Sequence, residues 1–226
     1  MNEVEAAPSA TVVLLRDGDG AEGVEALLLE RNWRLGFYGG TWVFPGGRVE
    51  VEDALDGETL YDLAPAKRAA VRETFEETGL HIEEAALTML SHWTTPTHFS
   101  KRFSTYFFVT KAPDGIARAD GVEAISLRYL SARAAMRMHA KGALRLPPPT
   151  FVTLHELSRF DRVDEALEAI AKKEPPRILP RIVEVEGGAI SLYPGDAGYA
   201  SRDAELEGPR HRLVMCGLPF RYECSL

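Results

Sequence analysis

The chain has 226 residues, 45% hydrophobic and 27% charged, with a formal net charge of −8. That length can bury a full core, and the acidic surplus excludes non-specific nucleic-acid binding, which needs a basic surface. No apolar run approaches the roughly 20 residues needed to cross a bilayer, and Met1 to Pro8 is polar and acidic, unlike a signal peptide.

Ala10 to Arg16 and Val24 to Arg31 are rich in Val and Leu and read as strands. The link between them spells G-x-G-x-x-G over Gly18 to Gly23, but a strand follows it and its acids would repel a pyrophosphate, so a hairpin turn is expected. Asn32 to Thr41 is a loop carrying Trp33, Phe37 and Tyr38, which form a satellite core or offer a face to a nucleobase. Thr41 to Phe44 is a short strand that delivers Gly46 and Gly47, where backbone can approach a ligand closely. A helix then ends at Gly79, with Pro65 in its first turn.

Beyond the helix, Ala86 to Trp93, Arg102 to Thr110 and Ala124 to Leu130 read as strands. His98, in the loop between the first two, is a candidate general base or a solvated histidine. Ser131 to Ala140 is a helix. The prolines 147 to 149 make a stiff turn before Thr150 caps a second helix, and Asp161 caps a third over Arg162 to Lys172. Arg181 to Tyr193 and His211 to Gly217 are strand-like. With two cysteines, Cys216 and Cys224, the chain fits free thiols in a reducing cytoplasm.

The chemistry concentrates on the helix before Gly79. At about 100° per residue, Ala64, Val71 and Phe75 share one face, expected to pack inward, and Glu73, Glu76 and Glu77 share the opposite one. Three acids near a helix C-terminus conflict with its dipole, and Glu73 and Glu77 are like charges one turn apart. Arg72 can relieve Glu76. A solvated acidic face would explain the rest, as would a divalent cation, and oxygen ligands so closely spaced suit Mg²⁺ or Mn²⁺.

Gly47 and the run Arg72-Glu73-Thr74-Phe75-Glu76-Glu77-Thr78-Gly79-Leu80 resemble the box of the Nudix hydrolases, G-x5-E-x7-R-E-U-x-E-E-x-G-U, with U a bulky apolar residue. Asp53 stands where that box has its first Glu, with Glu52 one place early. Thr74 holds a usually apolar position, with Phe75 expected to fill the space. Eighteen residues separate Asp53 from Arg72 instead of seven; this insertion of eleven is expected to be a tolerated surface loop. The enlarged box, Trp93-Thr94-Thr95-Pro96 and Lys101 to Phe108 resemble the branch that includes the peroxisomal coenzyme A diphosphatases.

The resemblance implies an α+β protein, an α/β/α sandwich with a mixed sheet between helices. One domain over 1–226 would comprise a core of about 9–130 and a helical and β extension of about 131–226 that shapes the pocket or forms a homodimer. It implies that Glu73, Glu76, Glu77 and the Gly47 carbonyl hold the metal, that Glu123 is a further functional acid, and that Arg72 tethers the helix through Asp53 or Glu52. The expected substrate is a nucleoside diphosphate linked to another group, with CoA or acyl-CoA first and ADP-ribose or NADH next; a non-catalytic nucleotide-binding regulator is the rival. Arg31, Arg34, Lys101 and Arg102 are the candidates for its phosphates, or Lys101 and Arg102 decorate a strand entrance.

Overall fold

A computed structural model describes residues 4–18, 22–34, 38–119, 121–122 and 124–225. The first sheet is built from β1 (Ala7–Asp17), β2 (Val24–Arg31), β3 (Trp42–Val43), β4 (Gly46–Arg48), β5 (Thr88–Thr94), β6 (Phe103–Lys111), β7 (Ala124–Ser131) and β8 (Arg177–Ile178). β1 lies at its centre, parallel to β6 and antiparallel to β2 and β4, which makes the sheet mixed.

The sequence of β1 explains that position. Successive side chains of a strand point to opposite faces, and here both faces are apolar. Val13 and Leu15 enter one core with Leu28 and Val109, while Ala10, Val12 and Leu14 enter another with Leu27 and Phe108. A strand covered on both sides reads as a continuous apolar run rather than an alternating one.

α1 (Leu63–Thr78) covers the second face, and α2 (Ala132–Ala140), α3 (Pro148–Leu157) and α4 (Val163–Ala171) contribute to the first, giving the expected α/β/α sandwich. A second, four-stranded antiparallel sheet follows, in the order β12 (Arg221–Cys224), β11 (His211–Met215), β10 (Gly188–Leu192), β9 (Arg181–Val185). Leu213 of β11 and Tyr193, just after β10, join the same apolar cluster as Trp93 of β5. The extension is thereby packed on the core. Two caps differ from expectation. Pro147 is the N-cap of α3 and Thr150 lies inside it, while the first amide of α4, at Val163, is taken by Asp17 rather than Asp161.

α1 is inverted relative to expectation. Its sheet-facing stripe is Ala66, Ala69, Ala70, Thr74, Glu77 and Thr78, all buried, whereas Phe75 is 47% exposed and stacks on His81. Counting from Ala66 at about 100° per residue, Glu73 and Glu77 fall about 20° to either side of that alanine, within the span of the stripe. Three alanines in a row along the axis let the helix approach β1 closely. The acids of the next turn therefore point at the end of the sheet.

The insertion is ordered. Glu58 accepts from the Leu55 amide at 2.8 Å and pairs with Arg68, whose Nε donates to the Asp53 carbonyl at 2.6 Å. Leu60 packs against the second core and Tyr61 donates to Glu5. The segment is an anchored ramp into α1, not a free loop.

Candidate active site

The Phe44-Pro45-Gly46-Gly47 segment is pinned to β1. Val12 donates its amide, and Thr11 its hydroxyl, to the Pro45 carbonyl at 2.9 and 2.6 Å. β4 then runs antiparallel to β1 with Gly46 opposite Thr11 and Gly47 opposite Ala10. Against this strip α1 sets two carboxylates. Glu77 Oε2 accepts from the Gly46 amide at 2.8 Å, and the Glu73 carboxylate lies so near Gly47 that a β-carbon there would come within 2.3 Å of it. Gly79, at φ +71°, ends the helix in the left-handed region one turn after Glu76.

Arg72 ties the parts together. Its Nε and Nη2 grip both oxygens of Asp53 at 3.1 and 2.9 Å, Nη2 also donates to the Arg48 carbonyl, and Nη1 donates to Glu73 and Glu76 at 2.9 and 3.2 Å. The Asp53 bonds above all, opposed by partial burial and helped by Glu73, hold the guanidinium even more firmly protonated than usual. Asp53, 4% exposed, is the tether, and exposed Glu52 is not.

A cleft of about 440 Å³ opens in front of the glycines and Glu73. Arg31, Arg48 and Lys101 line it, as do Tyr38 and Glu50. The Nε of Arg31 is buried without a hydrogen-bond partner. Of the four cations expected at phosphates, Arg31 and Lys101 reach the cleft; Arg34 and Arg102 are absent from its walls. Arg34 is exposed with its guanidinium 5.1 Å from the Trp33 ring centroid. Arg102 is 6% exposed and donates to the carbonyls of Thr95 and Val4. Arg48 and Glu50 had no sequence signal of their own.

Of the loop aromatics, Tyr38 lines the cleft, Trp33 is 69% exposed, and Phe37 lies outside the described residues. His98 is exposed beside Phe99 and is not among the residues that line the cleft. Glu123 also lies outside the described residues.

No three His, Cys, Asp or Glu side chains among the described residues already form a cluster tight enough for a metal ion. Glu77 is bonded to Gly46, and Arg72 draws Glu73 and Glu76. Yet the donor set fits a hard divalent cation, since carboxylates of Glu73 and Glu77 converge on backbone with no side chain between them.

The NUDIX domain model matches residues 6–150. A curated relative, the acyl-coenzyme A diphosphatase NUDT19 of Xenopus laevis, is 23% identical over 286 aligned positions, covering 84% of this chain and 75% of its own length. The NUDIX hydrolase structure from Alicyclobacillus acidocaldarius superposes with a TM-score of 0.65 at 22% identity, over 75% of this chain and 99% of its own. The NUDIX domain of Shewanella oneidensis NrtR, solved with ADP ribose, does so with a TM-score of 0.50 at 13% identity, over 69% and 88%. The family match takes in β1 to β7 of the central sheet, α1 and the glycine strip on which its acids converge, and with it the chain belongs to the NUDIX family as one of its hydrolases.

Proposed function

We propose that this hydrolase is a Mg²⁺- or Mn²⁺-dependent diphosphatase acting on a nucleoside diphosphate linked to a second group, with CoA and acyl-CoA as the first substrates to test. The observation that carries the reading is the convergence of Glu73 and Glu77 on Gly46 and Gly47, at the base of a cleft lined by Arg31, Arg48 and Lys101. Glu73, Glu76, Glu77 and the Gly47 carbonyl would hold the cation. Bound there, it supplies Lewis acidity to the diphosphate oxygens and acidifies water.

The chain's own residues do the rest. Arg72 fixes Glu73 and Glu76 in orientation and is itself fixed by Asp53. A protein of net charge −8 repels an anionic substrate at long range, so local cations must receive it; Arg31, with an uncommitted buried Nε, is placed for a phosphate oxygen. The attacking water gives its proton to a carboxylate, for which Glu50 in the cleft and Glu123 in the sequence are the candidates. Tyr38 offers a ring face at the cleft wall.

The similarity to the Xenopus acyl-CoA diphosphatase supports placing CoA first, and ADP-ribose and NADH share the same diphosphate. Cleavage of CoA adds water across the P–O–P bridge and releases 4′-phosphopantetheine and adenosine 3′,5′-bisphosphate. The test compares kcat/KM for CoA, dephospho-CoA, ADP-ribose and NADH at equal Mg²⁺. CoA should lead; a tenfold advantage for ADP-ribose or dephospho-CoA, about 1.4 kcal/mol of transition-state preference, would overturn the CoA assignment. Binding of any of these with no turnover would favour a nucleotide-sensing role.

A further inference from the structure

A second chamber of about 370 Å³ adjoins the catalytic cleft and shares Tyr38, Phe103, Thr105, Phe107 and Pro149 with it. Its outer wall is Ile182 of β9, Ser191 of β10 and Met215 of β11, all beyond the residues that match the family domain. Trp93 and Pro96 help to close the side toward the core. The extension thus adds an apolar room to the family's cleft.

The polar groups of this room are few and mostly engaged. Thr105 Oγ1 is bonded to Ser9 at 2.8 Å, and Thr95 Oγ1 accepts from the Phe103 amide at 3.1 Å. Ser191 is 1% exposed, and its hydroxyl meets that of Tyr193 and makes no other hydrogen bond among the described residues. A nucleobase carries several donors and acceptors on its edge, and each one buried without a partner costs about 1–3 kcal/mol. An apolar chain with a single carbonyl asks for one donor at most.

We infer that this chamber takes an acyl chain carried by the substrate, so that the C-terminal sheet selects acylated nucleoside diphosphate conjugates over bare ones. The inference rests on the diphosphatase reading for the link between chamber and cleft. Continuity of the two spaces lets one molecule occupy both, and among the described residues the chamber's walls carry no Lys, Arg, Asp or Glu.

Binding can be measured without turnover. Titration calorimetry in EDTA compares CoA, butanoyl-CoA and octanoyl-CoA on the wild-type protein, with Ile182→Trp and Met215→Trp filling the chamber. Octanoyl-CoA should bind at least tenfold more tightly than CoA, with butanoyl-CoA between them, and each tryptophan should erase that gain. Equal affinity for CoA and octanoyl-CoA in the wild type, undetectable binding of both included, overturns the inference, as does a gain that survives in both variants while their melting temperatures stay at the wild-type value. The chain-length series stands on the wild type alone if a variant misfolds. Chain-length-dependent binding without Mg²⁺-dependent turnover of any nucleotide diphosphate keeps the chamber and removes the proposed reaction, and turnover without the gain does the reverse.

Discussion

The carboxylate of Glu73 occupies the space that a side chain at Gly47 would need. A β-carbon at position 47 would come within 2.3 Å of it, well inside van der Waals contact. The obstacle is the end of a flexible side chain, so the fold can absorb a methyl there by moving Glu73. Gly47→Ala should therefore keep a melting temperature within a few degrees of wild type and lose at least ~10-fold in turnover, with a raised Mg²⁺ requirement. Normal Mg²⁺ dependence and normal kcat in this variant would remove Gly47 and Glu73 from the metal site.

Arg72 joins Asp53, the Arg48 carbonyl, Glu73 and Glu76 through one planar group. A lysine keeps the charge but cannot reproduce the fork. Arg72→Lys should destabilise by about 1–3 kcal/mol, because Asp53 is left buried with an incomplete partner. For a chain of this size that is a fall of several degrees in melting temperature. Turnover should fall with it, and a variant stable and active as wild type would show that the fork orients nothing.

The insertion ahead of α1 is anchored at named points. Glu58 holds both the Leu55 amide and Arg68, while Gly57 has open space around its Cα. Deleting 56–58 should loosen Arg68 and, through the Asp53 carbonyl, the tether of Arg72. Glu58→Ala alone should reproduce most of that loss, roughly 1–2 kcal/mol by chemical denaturation. Asp56→Ala, which touches none of these bonds, should be close to neutral. Should the deletion unfold no sooner than wild type, the ramp is ornamental.

Much of this was legible in the sequence. The ends of α1 are punctuated locally by Pro65 and Gly79, and the acids cluster within one turn. Which face was inward was not legible from bulk: Phe75 and Val71 are larger than Ala66, Ala69 and Ala70, yet the close approach to β1 selects the alanines. Alternation along the strand did carry information about the cations. Lys101, Phe103, Thr105 and Phe107 all line the cleft at period two, which puts Arg102 on the other side. Glu50 and Arg48 reach the cleft only through the long-range pairing of β4 with β1, which no local pattern announces. The short β8 and β12 were missed for the same reason.

His139 makes stability depend on pH. It is 2% exposed between Phe151 and Phe220, with Nδ1 bonded to the Leu144 carbonyl at 3.0 Å and Nε2 unpartnered. Burial lowers its pKa, against the pull of that carbonyl. His92 is lowered too, by burial first and then by Arg177. Below the ordinary histidine value of about 6.5 the unfolded chain binds protons that the folded one refuses, so stability falls as pH drops from there toward the folded values. Asp196 works in a lower window. Burial opposes but Arg212 and the His211 amide prevail, so its folded pKa is depressed, and its contribution is lost only as pH falls below the ordinary carboxylate range. The melting temperature should thus decline between pH 7 and pH 5, and less steeply in His139→Phe. Parallel slopes for the two proteins would assign the decline elsewhere.

Glu76 and Glu77 are adjacent in sequence and differently held. Glu77 is 7% exposed with its carboxylate on the Gly46 amide, while the Glu76 side chain is 54% exposed and meets only Arg72 in the described contacts. Both variants to glutamine should weaken Mg²⁺ binding and lower turnover by at least ~10-fold if both carboxylates reach the ion. Their effects on the metal-free protein should separate. Glu76→Gln relieves an anion near the helix C-terminus and gives up one exposed pair worth under about 1 kcal/mol, so its stability should stay level or rise slightly. Glu77→Gln retains an oxygen for the Gly46 amide but weakens a charge-assisted bond in a buried place, while easing the repulsion with Glu73 one turn back. These oppose each other at about 1 kcal/mol, so little net change in stability is expected from a variant that is nearly inactive. Isothermal titration with Mn²⁺ beside a melting curve reads both quantities, and wild-type Mn²⁺ affinity in both variants would take both carboxylates out of the metal site.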